Sequence, residues 1–185
     1  MRPNREQAEA LLRKYVKTES QIIHAKSVES AMRFFAGIYG EDKEFLGICG
    51  LLHDIDYDLF PEEHCIKAKD ILESEDIDSD IIHAVQSHGY GICCDIEPMN
   101  LMEKTLFAVD ELTGLISATA IMRPSRSVMD LETKSVKKKF KDKRFAAKID
   151  RSTIERGAEM MGISLDELIE NTILGMREVH EELNL

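Results

Sequence analysis

No stretch of this sequence is apolar for long enough to cross a bilayer: uninterrupted apolar runs are only a few residues, against the ~20 that a spanning helix needs. The N-terminal residues, MRPNREQAEALLRKY, become charged and amphipathic at once and lack the apolar run of a secretory signal. The expected location is therefore cytoplasmic, with no membrane partner. A disulfide framework is missing too. Cys49, Cys65, Cys93 and Cys94 form no C-x-x-C pair and two of them are adjacent, which suits free thiols in a reducing compartment. Strand-type alternation is almost absent, there is no internal repeat, and the only biased tract is a short lysine run. Positive charge is in short supply: 24 Lys and Arg face 35 Asp and Glu, a net charge of −11. General nucleic-acid binding is excluded on that ground, because a polyanion needs a basic footprint from which counterions are released.

What the sequence does have is helical periodicity. A chain of 185 residues, 43% hydrophobic, suffices for one domain with a sizeable core. Apolar residues recur at three- and four-residue steps, as in Ala8, Leu11, Leu12, Tyr15 and Val16, and again in Val28, Ala31, Met32 and Phe35. The expected fold class is all-α. Gly40 followed by Asp42 and Glu44 opens a helix, and Pro61-Glu62-Glu63 opens another, with acids at the positive end of its dipole. Pro98 fits the first turn of a long helix to about Ala120. Ser164 and Glu167 form a capping box for a last helix that buries Leu165, Leu168, Ile169, Thr172, Ile173, Met176 and Val179. From Pro124 to about Asp150 the chain is basic and aperiodic, and reads as a long connection with short helical turns.

The chemistry concentrates in a few histidines and acids. In GLLHDIDYD, residues 50–58, the helical face of Leu46, Cys49, Gly50 and His53 packs inward, so His53 and Asp54 emerge together where a helix stops. A nitrogen and a carboxylate presented side by side suit one metal ion. Alone, the dipeptide reads more readily as a histidine favoured by the negative end of a helix dipole than as a metal ligand. Asp110 adds a second signal, since from Leu106 to Ala120 the only ionisable residues are Asp110 and Glu111. A buried charge costs several kcal/mol unless it finds a cation, a metal or strong hydrogen bonds. A basic residue from another helix is one solution and a metal is the other. His24 opens an inward stripe with Val28, Ala31 and Phe35. His83 and His88 lie about 140° apart around a helix, so only one faces any given site. His88, at the helix end beside Gly89, is the candidate.

The order His24, His53-Asp54, Asp110 resembles the H…HD…D signature of the HD-domain superfamily of metal-dependent phosphohydrolases, over roughly residues 15–120. HCIKAKDIL at 64–72 and IIHAVQSHGYG at 81–91 look like the binuclear branch, which includes enzymes that split symmetric dinucleoside polyphosphates. The resemblance implies a helical bundle with an HD core and a C-terminal helical extension over about 121–185, the whole chain 1–185 forming one domain. It also implies that His64 and His88 ligate a second metal, with Asp54 bridging the two ions and central to catalysis. Many binuclear members read H-D-I-G-K; here Asp56 and Tyr57 stand in place of Gly and Lys, which removes a basic residue and adds a carboxylate. The stretch beyond residue 121 looks similar to a group of stand-alone HD hydrolases.

Histidine with carboxylate suits one or two ions of manganese, iron, cobalt, nickel or zinc better than calcium. The expected activity is hydrolysis of a nucleotide or another small phosphorylated metabolite by metal-activated water. Residues 41–80 hold 14 acidic and 3 basic side chains, whereas residues 134–148 hold 8 basic and 1 acidic. Phosphoryl transfer needs positive groups besides the metal. Arg123, Lys134, Lys137 and Lys138 are the sequence's candidates for holding a small anionic substrate, the alternative being a solvated lysine face. An HD-type di-iron oxygenase and a non-catalytic, metal-stabilised binding or regulatory module are the competing readings.

Overall fold

Short polar side chains cap the starts of half the helices of this chain. The computed structural model describes residues 1–185 and has ten α-helices: α1 (Arg5–Tyr15), α2 (Glu19–Tyr39), α3 (Lys43–Leu52), α4 (Ile66–Ser74), α5 (Ser79–Ser87), α6 (Leu101–Ile121), α7 (Thr133–Lys141), α8 (Arg151–Met161), α9 (Leu165–Arg177) and α10 (His180–Leu183). There is no strand, only an isolated bridge between Tyr90 and Cys94. Asn4 accepts from the Gln7 amide while its own amide donates to the Gln7 side chain, and Asn100 and Glu103 repeat that reciprocal box at α6. Asp42, Asp150 and Ser164 accept amide bonds at the starts of α3, α8 and α9. The approach to α2, which has no side-chain cap, is held differently. Asp58, from a separate turn, accepts from Lys17 N and Thr18 N, each at 2.8 Å.

The two 21-residue helices, α2 and α6, are the pillars of the fold. α3 and α9 pack on α2, and α8 packs on α6. Close approach of α2 and α3 depends on Gly50, where a Cβ would stand 3.1 Å from the Glu29 backbone. At the α6–α8 crossing, a Cβ on Gly157 would lie 2.4 Å from that of Ala108, so the backbones meet only because residue 157 lacks one. Residues from Ala8 to Leu185 contribute to one contiguous hydrophobic core. Buried threonines on α6 and α9 return their hydroxyls to carbonyls one turn back, at 2.7 Å for Thr105, Thr119 and Thr172, so their burial leaves no donor unpaired. No helix is long and apolar enough to cross a membrane.

Three boundaries differ from the sequence reading. Pro61–Glu63 forms only a single 3-10 turn, and α4 begins at Ile66. His64 is extended at ψ 144° and Cys65 is left-handed at φ 67°, because this stretch turns the His64 ring inward and buries Cys65 completely. Pro98 precedes α6 instead of entering it; the helix starts after the Asn100 cap. The basic stretch contains a real helix, α7, since Val136 and Phe140 at i and i+4 bury one narrow face while the lysines stay outside. The rest of Pro124–Asp150 is held by arginine forks on backbone carbonyls. Arg177 reaches Val128 O (3.0 Å) and Leu131 O (2.9 Å), while Arg151 reaches Ala146 O (2.7 Å), Ile149 O (2.8 Å), Asp142 O (3.3 Å) and Phe145 O.

Candidate metal centre

Helix ends deliver half of the site. His53 is the C-cap of α3 and His88 the C-cap of α5. Asp54 follows His53 directly, His24 lies in the second turn of α2, and Asp110 sits mid-way along α6. His64 enters from the irregular stretch before α4. These six side chains, separated by up to 86 positions in sequence, converge on one place.

They do so in two groups. His24 Nε2 is 3.2 Å from His53 Nε2, 3.0 Å from Asp110 Oδ1 and 3.6 Å from Asp54 Oδ2. His53 Nε2 lies 3.4 Å from Asp54 Oδ2 and 3.3 Å from Asp110 Oδ1. The other carboxylate oxygen, Asp54 Oδ1, faces His64 Nε2 at 3.3 Å and His88 Nε2 at 3.6 Å, and those two nitrogens are 3.1 Å apart. Ligands held about 2.1 Å from one cation lie roughly 3.0 Å apart in neighbouring octahedral positions and about 3.4 Å apart in a tetrahedron. The observed separations bracket these two values, and Asp54 is the side chain shared between the groups.

The tautomers sharpen the point. His53 Nδ1 donates to Gly50 O at 2.8 Å, His88 Nδ1 donates to Val85 O, and His64 Nδ1 donates to Asp56 Oδ1 at 2.8 Å. Each of these partners only accepts, so each ring carries its hydrogen on Nδ1 and turns a lone pair inward from Nε2. Two lone pairs therefore face each other across 3.1 Å between His64 and His88. No neutral arrangement satisfies that contact. A buried polar atom left without a partner costs about 1–3 kcal/mol, so the cluster calls for positive charge between the nitrogens, as a proton or as a cation. The residues present fit a divalent metal ion.

The electrostatics of the side chains agree. Burial opposes ionisation of Asp54, yet the imidazoles of His53, His88 and His24 hold its carboxyl well below the usual carboxylate range. Burial likewise opposes Asp110, and His24 and His53 outweigh it and lower its pKa. His53 is pushed up in spite of burial by Asp54 and Asp110, and His64 in spite of burial by Asp56 and Asp54. No lysine or arginine pairs with Asp110; its partners are the two histidines. Next to it, Glu111 is raised to about 7, first by burial and then by the Asp110 charge.

The cluster forms the floor of a cleft of about 400 Å³, walled by Gln21, Tyr57, Ile92, Cys93, Glu111 and the 148–149 turn. His24, the His53-Asp54 pair and Asp110 meet there in that order along the chain, and all lie inside residues 22–114, a stretch that matches the HD domain family. The chain belongs to the HD-domain family. The matched half of this HD protein also contains His64 and His88, while α7 to α10 lie outside it. Neither the curated proteins nor the solved structures offer a match to the chain.

All six histidine and aspartate candidates from the sequence are thus brought together by the HD fold. The four basic candidates are not. Arg123 pairs with Asp130 at 2.8 Å, Lys134 pairs with Glu132, Lys137 reaches Asp166 at 2.6 Å, and none of these, nor Lys138, lines the cleft. α7 turns its lysine face to solvent and to α9, away from the ligand cluster. His83 is likewise outside, bonded to Glu103 at 2.8 Å. Sequence reasoning gave no role to Asp56, which is fully buried and orients His64 while its second oxygen accepts from Ala68 N at 2.8 Å. Its replacement of the family's glycine was the available signal. The thiols were read singly, whereas Cys65 Sγ and Cys93 Sγ lie 2.9 Å apart beside His88, both free. Nothing in their spacing announces that meeting.

Proposed function

We propose that this HD protein is a metal-dependent phosphohydrolase that acts on a nucleotide or another small phosphorylated metabolite as a single functional unit spanning residues 1–185. The observation that carries the reading is the pair of inward-facing lone-pair clusters joined by Asp54. His24, His53, Asp54 and Asp110 would hold one ion, and His64, His88 and Asp54 a second. Mixed nitrogen and oxygen ligands suit manganese, iron, cobalt, nickel or zinc. Such ions, when bound, supply Lewis acidity toward a phosphoryl oxygen and make water a usable nucleophile near neutral pH.

The chain's own contribution is positioning. Asp54 presents one oxygen to each group, so the spacing between the two groups is set by a single carboxylate. Three histidine rings are locked in tautomer by Gly50 O, Val85 O and Asp56, which spares the site any rearrangement on loading. Ile92 and Ile149 add apolar lining beside the polar floor of the cleft. A cleft of about 400 Å³ is of metabolite size.

The test is elemental analysis of the purified protein beside Asp54→Ala, followed by phosphate release from a panel of nucleotides and phosphate esters with each metal added. Wild type is expected to hold divalent metal and to release phosphate from at least one ester, and the variant to lose both. Equal metal in the two proteins would sink the ligand assignment. Oxygen uptake by an iron-loaded form with no phosphate release would replace hydrolysis by oxygenation as the activity.

A further inference from the structure

The cleft of this HD protein is walled on one side by a turn outside the matched family region. Lys148 and Ile149 line it, and Lys148 is the one lysine or arginine to do so. The other charged groups there are the histidines and aspartates of the ligand cluster and Glu111, so Lys148 is the one fixed cation of the lining. Arg123, Lys134 and Lys137 are each committed to a carboxylate, whereas Lys148 forms no ion pair. Its ammonium is free to meet an incoming anion.

The turn is built to stay where it is. Four carbonyls of residues 142–149 accept from the single guanidinium of Arg151 at the start of α8. The Asp150 amide donates to Glu111 on α6 at 3.3 Å, tying the turn to the residue beside Asp110. Ile149 packs over Gly114, one turn further along α6, within 3.4 Å of where a Cβ would be. Ala146 adopts φ 45°, a left-handed conformation that a side-chain-bearing residue takes at a cost. Anchors on both α6 and α8, with strain held between them, are what a wall fixed relative to the ligand cluster requires. The family pattern's basic residue after H-D-I-G is absent, its place taken by Tyr57, which also lines the cleft.

We infer that Lys148 is this protein's phosphate-holding cation, supplied from the turn before α8 in place of the lysine that the chain lacks beside its His-Asp pair. The ligand class is a phosphate monoester or a polyphosphate dianion whose non-bridging oxygens span from the ligand cluster to the Lys148 ammonium. An ammonium is a point charge with three donors, suited to phosphate oxygens in several orientations. The inference rests on the phosphohydrolase reading for its substrate, but anion binding and turnover are separable measurements.

The experiment titrates inorganic phosphate into metal-loaded wild type, Lys148→Ala and Lys148→Arg by calorimetry, with metal content and melting temperature measured on each. Lys148→Ala is expected to bind phosphate about tenfold more weakly at unchanged metal content, Lys148→Arg to recover most of the loss, and the wild-type affinity to fall as salt is raised. Phosphate bound equally well by all three would overturn the inference, as would wild-type binding too weak to measure with metal in place. Lysine-dependent phosphate binding in a protein that cleaves no phosphate ester would support the anion subsite and count against phosphate hydrolysis instead. A broad fall in metal content or melting temperature in Lys148→Ala would overturn the assignment in favour of a structural role.

Discussion

Asp56→Asn is an almost isosteric change that tests how the HD centre is assembled. Asp56 accepts twice, from His64 Nδ1 and from Ala68 N, both at 2.8 Å. Asparagine keeps one acceptor and replaces the other by an NH₂ group. With its oxygen toward Ala68 N, the NH₂ faces His64 Nδ1, forces the hydrogen to Nε2 and removes that nitrogen as a ligand. With its oxygen toward His64, the NH₂ faces the Ala68 amide and breaks the bond that seats the first turn of α4, just past His64. The first orientation takes the group of His64, His88 and Asp54 from three donors to two and the second loosens the seat of His64, while the group of His24, His53, Asp54 and Asp110 keeps four in both. Loss of such a supporting partner costs about 10–100-fold in metal affinity, or about 1.4–2.8 kcal/mol. Titration against a chromophoric chelator at fixed pH should show two classes of ion in wild type and a selective weakening of one class in the variant. Two unchanged affinities would refute the role given to Asp56, and equal weakening of both would refute the division into two groups.

Other expectations concern the scaffold. Asp58→Ala removes the acceptor that serves the amides of Lys17 and Thr18 and should cost about 1 kcal/mol, or about 2–4 °C in melting temperature. Burial opposes ionisation of Asp58, but the hydrogen bonds from Thr18 and Lys17 together outweigh it and lower its pKa in the folded state. Its contribution is therefore complete above the unfolded value of about 3.9 and disappears as pH falls through the folded value, so the gap between wild type and variant should close in acid. A gap of equal size at low pH would mean the bonds do not depend on charge. Gly157→Ala puts a methyl 2.4 Å from the Ala108 Cβ and 2.6 Å from its Cα and should destabilise by about 1–3 kcal/mol or more; because that Cα stays in place, Ala108→Gly in the same chain should recover little, and full recovery in denaturant unfolding would contradict the backbone contact. Arg177→Met frees Val128 O and Leu131 O while keeping an apolar stem. Limited proteolysis should then cut within residues 122–132 faster than in wild type, and an unchanged pattern would show that the fork is dispensable there.

How much was visible in the sequence depended on what kind of information each feature uses. The major helices follow from apolar periodicity, and Asp110 stood out because a carboxylate in an otherwise apolar helix must find a counter-charge. His53 at a helix end was legible from the face that Leu46, Cys49 and Gly50 define. The Pro61 helix failed because local start signals lost to a tertiary demand: bringing His64 to Asp56 and His88 forces an extended residue and a left-handed one where a helix would otherwise run. α7 was hidden because only Val136 and Phe140 mark its buried face. The lysines illustrate a further limit. A basic run reports charge density, but whether a given ammonium faces a cleft or a neighbouring acid depends on helix rotation, which lysine-rich sequence does not encode. Lys148 was one more member of that run, and only the turn clamped by Arg151 sets it apart.

The two C-cap histidines do a second job at their other nitrogen. His53 and His88 each close the last turn of a helix by donating to the carbonyl three residues back, Gly50 O and Val85 O. A cation on Nε2 would draw electron density from the ring and make Nδ1–H a stronger donor, so loading the centre should tighten the ends of α3 and α5. Occupancy would in this way reach the backbone, and amide hydrogen exchange at those two helix ends should register the ion even where no side chain touches it.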